Sequence, residues 1–137
     1  MVGVLFERVG ANIIGQEVFR FNSDAQQDFP QQLASLASAL EARMPIVHVD
    51  AAVVRSMDRS PFGRRENTSA NRYAVEGVLL ATCRRSVERT VRLRGVDIGE
   101  RCGSSKQAAE TRAAEICGEA LKSAGAAALA ALHIAEG

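Results

Sequence analysis

The sequence has no apolar stretch approaching the roughly 20 consecutive residues that cross a bilayer as a helix, so a membrane span is not expected. Its opening, "MVGVLFERVG", lacks the basic start and long apolar run of a secretory leader, and a soluble, cytoplasmic location is the expectation. Cysteine is scarce and odd in number: Cys83, Cys102 and Cys117 show neither paired-ligand spacing nor a nearby cluster of Cys or His. That pattern excludes a disulfide framework and a zinc ribbon, and leaves small, reduced, partly apolar thiols. His48 has no second ligand at helical or strand spacing and reads as a packed or edge histidine rather than a metal ligand. Strong net charge is also absent, the formal value being +1.

That near-neutrality conceals an asymmetry. Between Arg55 and Lys106 there are twelve Lys or Arg against six Asp or Glu, leaving five against ten in the rest of the chain. The central cations are nearly all Arg, whose forked guanidinium suits phosphate, so the segment is a candidate footprint for nucleic acid. The plainer reading is a set of solvated arginines on helix and strand faces.

At 137 residues the chain fits one domain, residues 1–137, with enough core to fold unaided. The first twenty-one residues read as two or three antiparallel strands punctuated by Gly10 and Gly15. Phe29, Leu33, Leu36 and Leu40 then fall on one helical face, with Asp28 as cap, Pro30 in the first turn and Pro45 as terminator. "IVHVDAAVVRS" reads as a buried strand, and "MDRSPFGRRENTS" as a long loop. A second helix is expected from Thr68 or Ser69, turning Ala74, Val78 and Ala81 inward. "VERTVRLRG" alternates like a strand with one wet face. A helix capped by Ser104 or Ser105 follows, with an apolar stripe of Ala109, Ala113, Ile116 and Ala120, and "AAALAALHIA" closes the chain as a short Ala-rich helix. Strand and helix alternation after a hairpin implies an α/β fold whose later strands run parallel.

Several segments carry a resemblance. "MVGVLFERVGANIIGQEVF" resembles the opening hairpin of the ribonuclease H-like fold, and of its RuvC-type Holliday junction resolvase branch in particular. "VDAAVVRSM" is similar to the fourth strand of those proteins, and "YAVEGVLLATC" to the helix after it. "GSSK" resembles the turn after the last strand, and "AGAAALAAL" the closing helix. The resemblance implies a mixed sheet of about five strands, an antiparallel hairpin or meander followed by parallel strands, flanked by helices. It also implies a place for two divalent metals held by acids from the first strand, the end of the fourth strand and the last helix.

In this chain those positions hold Glu7, Arg55, and Gly125, Ala126 and Ala127. One acid remains, and a guanidinium repels a metal pair. The resemblance thus implies a vestigial site, with Arg55 beside Glu7 on neighbouring strands and taking over the local positive charge. The plain alternative is that Arg55 is a strand end reaching water.

The leading expectation is a catalytically degenerate module, without cofactor and not an enzyme, that binds structured DNA or RNA through Arg59, Arg64, Arg65, Arg72 and Lys106. Three other readings stand beside it. The fold serves as a protein-interaction scaffold for a homodimer or another partner, with "YAVEGVLLATC" as the apolar face. Or a magnesium-dependent endonuclease survives, with Asp50 or Asp58 and a C-terminal acid such as Glu136 joining Glu7. Or "LRGVDIGERCGSSKQAAETRAAEICGEAL", which is similar to the last strand and helix of a double-stranded RNA-binding domain, binds RNA through Lys106, although Gln107 and Glu110 stand where that family prefers Lys.

Overall fold

The computed structural model describes residues 1–56 and 66–137. β1 (Val2–Val9) and β2 (Asn12–Arg20) form the expected antiparallel hairpin, turning through Gly10 and Ala11. Gly10 sits at φ 64, the left-handed conformation a two-residue hairpin loop needs at its first position. Phe6 is the hairpin's buried residue. Its ring lies over Gly15, its cross-strand partner, where any Cβ would collide with it.

α1 (Phe29–Val47) starts as expected: Asp28 accepts a hydrogen bond from the Gln31 amide at 2.8 Å, Pro30 lies in the first turn, and Leu36 and Leu40 are buried. Pro45 does not end it. In the last turn a proline removes a single intrahelical bond, and the helix continues to Val47, stopping where His48 turns left-handed at φ 54. His48 is therefore an exposed helix cap, and the predicted strand loses its first half. β3 is only Ala52–Arg55.

β3 pairs in parallel with β4 (Thr90–Leu93), Ala52 facing Thr90 and Arg55 facing Leu93, and α2 (Glu66–Ser86) makes the crossover. α2 begins two residues before the expected Thr68. Its inward stripe is also shifted: Ala81 is exposed, while Glu76, Thr82 and Cys83 are buried. Burial raises the pKa of the Cys83 thiol, and the described cysteines are all free.

A short helix, α3 (Gly95–Arg101), was not legible in the sequence, since seven residues with Ile98 as the large buried side chain leave no periodic pattern. α4 (Lys106–Cys117) is capped by Ser105, which accepts from the Ala108 amide at 3.1 Å. It stops at Gly118 (φ 93); a 3-10 turn at Glu119–Leu121, with Ala120 exposed, leads into α5 (Lys122–Glu136). α5 is thus longer than the short closing helix expected. Gly125 through Ala130 are all buried, and Ala126, Leu129 and Ala130 pack with Phe6, Ile98, Ala109 and Ala113 in the core. No described helix is long and apolar enough to cross a membrane.

The fold is α/β, but the described strands form two separate two-stranded sheets, β1-β2 and β3-β4, and not one mixed sheet of about five. α5 packs against β1 of one sheet and β3 of the other. Between them lies a cleft of about 1290 Å³, lined along Met1–Arg8 and Val49–Arg55 and closed by Ala127, Ala128 and Ala131 of α5 and Val75 and Leu79 of α2.

Candidate functional site

In parallel sheets of α/β folds, ligands gather at the carboxyl ends of the strands. Here that end is formed by Arg55 and Ser56 after β3 and by Leu93 and Arg94 after β4, held in register by the bond from the Ser56 amide to the Leu93 carbonyl at 2.8 Å.

Arg55 does not pair with Glu7. Its Nη2 lies 2.9 Å from Glu110 Oε1 of α4, with the two side chains 20% and 18% exposed, and its Nη1 donates to the Ser123 carbonyl of α5 at 3.3 Å. Glu7 lines the same cleft as Arg55 but is exposed and takes part in no ion pair among the described residues. The expected pairing of Arg55 with Glu7 on neighbouring strands is replaced by one with Glu110, because α4, far along the chain, brings its carboxylate to Arg55.

The other candidate acids do not converge. Asp50 precedes β3 and so stands at the end of that strand opposite Arg55. Glu136 is occupied by Arg8, whose Nε is 2.7 Å from Oε1; that hydrogen bond holds the Glu136 carboxyl below its ordinary pKa. Among the described residues no group of three or more His, Cys, Asp or Glu side chains is arranged to hold a metal. In α5, Gly125 faces α4: a Cβ there would stand 2.6 Å from Cys117 Sγ and 3.0 Å from Ala113 Cβ. Of the three positions that the resemblance assigns to acids, Gly125 is thus packed against α4, whereas Ala127 lines the cleft. Asp58, Arg59, Arg64 and Arg65 lie outside the described residues.

Two acids matter that the sequence reading passed over as site residues. Glu76 of α2 has a side chain 4% exposed; it accepts from Ser56 Oγ at 3.3 Å and lies 4.0 Å from Arg92 Nη1. Glu110 neutralises Arg55. Both fall on apolar stripes, Glu76 with Leu79 and Cys83, and Glu110 with Ala113 and Cys117, at spacings of three and four. An acid on a buried stripe is the signal that could have found them, because such an acid needs a cation or donor to meet it.

Other cations stand near this end. Arg72 lies one turn of α2 before Glu76 and is exposed; Arg92 and Arg94 are 49% and 60% exposed, although Arg94 also holds Asp97 at 3.0 Å in the α3 cap. Lys106 lays its stem against Gly95: a Cβ on that glycine would stand 2.8 Å from Lys106 Cδ and 3.1 Å from Arg55 Nη2. Five basic residues from β3, β4, α2 and the two sides of α3 therefore collect at the carboxyl end of one parallel strand pair. The segment that is similar to a double-stranded RNA-binding domain is built differently from that family, because β4 pairs in parallel and α3 separates it from α4.

No protein-family model matches this chain, and no curated protein sequence is similar to it.

Proposed function

We propose that this chain is a catalytically degenerate ribonuclease H-like module that binds structured DNA or RNA at the carboxyl end of its parallel strand pair. The observation that carries the reading is the gathering of Arg55, Arg72, Arg92, Arg94 and Lys106 there, in the half of the chain that holds the excess of positive charge. Guanidinium and ammonium groups on a shared rim suit successive phosphates. The exchange of carboxylates for Arg55, Gly125, Ala126 and Ala127 removes ligands for divalent metal, so the reading includes no cofactor and no cleavage.

An anisotropy titration with a four-way junction, duplex DNA and duplex RNA at two salt concentrations tests it. Binding should weaken steeply with salt, and Arg72→Gln and Lys106→Gln should each reduce the slope of log affinity against log salt by about one. Failure to bind any of the three at low salt would overturn the proposal.

The finer fold in this reading has β1 paired with β3, in the order β2-β1-β3-β4. Among the described residues neither strand is paired on its cleft side, and joining them would satisfy backbone groups there. Amide hydrogen exchange is the check. In a joined sheet, the β1 amides that do not bond to β2 should be as protected as those that do. Exchange of that edge within minutes would instead favour the scaffold reading, since free strand edges are templates for a strand from another chain.

A further inference from the structure

We infer that Glu110 is an internal stand-in for nucleic-acid phosphate, an anionic gate that must leave Arg55 before that residue and Lys106 can grip a backbone. This deepens the function proposed above and rests on it. The ion pair between Arg55 and Glu110 joins the end of β3 to α4 at 2.9 Å, with both side chains about four-fifths buried. It sits where the cations gather: Lys106 lies one turn earlier on α4 than Glu110, and Lys106 and Arg55 both crowd the backbone at Gly95. Glu110 also acts on Lys122 at the start of α5. That ammonium's pKa is raised mainly by its hydrogen bond from Nζ to Glu119 at 2.6 Å, and the charge of Glu110 adds to it.

A carboxylate in such a place has the geometry that a guanidinium offers to phosphate, planar and charge-assisted. The absence of a Cβ at Gly95 lets the Lys106 stem and the Arg55 guanidinium approach the same stretch of backbone. With the carboxylate in place, Arg55 is neutralised and contributes little to the external field. A phosphate that displaces it would recruit Arg55 as one more contact.

The test uses the full chain and the nucleic acid that the wild type binds best. Glu110→Gln keeps the shape of the side chain and removes its charge. It should raise affinity about tenfold and steepen the salt slope by about one, as one further phosphate contact would. Glu115→Gln, which removes an exposed acid from the same helix, controls for bulk charge and should change affinity less than about twofold. Adding Arg55→Gln to Glu110→Gln should abolish the gain. Glu110→Asp, one methylene shorter, should give an intermediate gain and serves if Glu110→Gln melts below the assay temperature. If the wild type binds but Glu110→Gln gains no more than Glu115→Gln, or its gain survives Arg55→Gln, the gate is wrong and the binding function stands. If neither the wild type nor Glu110→Gln binds at low salt, the proposed function itself fails.

Discussion

Arg55→Ala is expected to lower the melting temperature by roughly 10 °C. The side chain joins three elements, ending β3, contacting Glu110 of α4 at 2.9 Å and donating to the Ser123 carbonyl of α5 at 3.3 Å. Truncating it leaves the Glu110 carboxylate about four-fifths buried without this guanidinium. Stranding a fully buried charge costs about 3–5 kcal/mol, and an exposed pair is worth about 1 kcal/mol or less. The partial exposure here places the loss nearer about 2–3 kcal/mol, and a domain of this size shifts by roughly 3–5 °C per kcal/mol. Arg55→Glu should be worse, since two carboxylates would then share one enclosure. Replacing both partners with leucine should recover most of the loss, because an apolar pair carries no desolvation penalty. Thermal melts of the wild type and the three variants decide the matter. Values within a degree or so of the wild type for Arg55→Ala would mean that Arg55 is an ordinary solvated strand end.

Gly125→Asp should be more damaging still and abolish cooperative folding. The position lies in the buried run of α5, where a Cβ already meets Cys117 Sγ at 2.6 Å and Ala113 Cβ at 3.0 Å. Gly125→Ala isolates the steric part. Overpacking costs about 1–3 kcal/mol, and about 1 kcal/mol returns because alanine is the better helix former. Net destabilisation should stay below about 2 kcal/mol. The aspartate adds an ionised group in an apolar contact between helices, costing several kcal/mol more, which is comparable with the whole stability of a typical domain. Circular dichroism melts separate the cases. A Gly125→Asp protein that melts within a few degrees of Gly125→Ala would show that this side of α5 faces water or the cleft and not α4. The same result would reopen the metal-dependent reading, since an acid at that position could then reach an ion.

What the sequence by itself determined was mostly local. The hairpin is written in Gly10 and the β-favouring residues around it, the start of α1 in Asp28 and Pro30, and the start of α4 in Ser105, because caps and turns are decided by side chains bonding their own backbone. The parallel strand pair was also legible, since only a crossover helix fits between its two strands. Element ends were less so: Pro45 in a last turn removes too little to stop a helix, and α3 is too short to show a period. Tertiary structure alone decided the rest. It chose Glu110 over Glu7 for Arg55, buried Glu76 under Ser56 and Arg92, packed Gly125 against α4, and left a cleft between β1 and β3. These are contacts between elements distant in the chain, and no local pattern encodes which of two carboxylates a guanidinium will meet. That choice follows from how α4 and α5 pack around one small-residue core, where a single glycine sets how closely two helices approach.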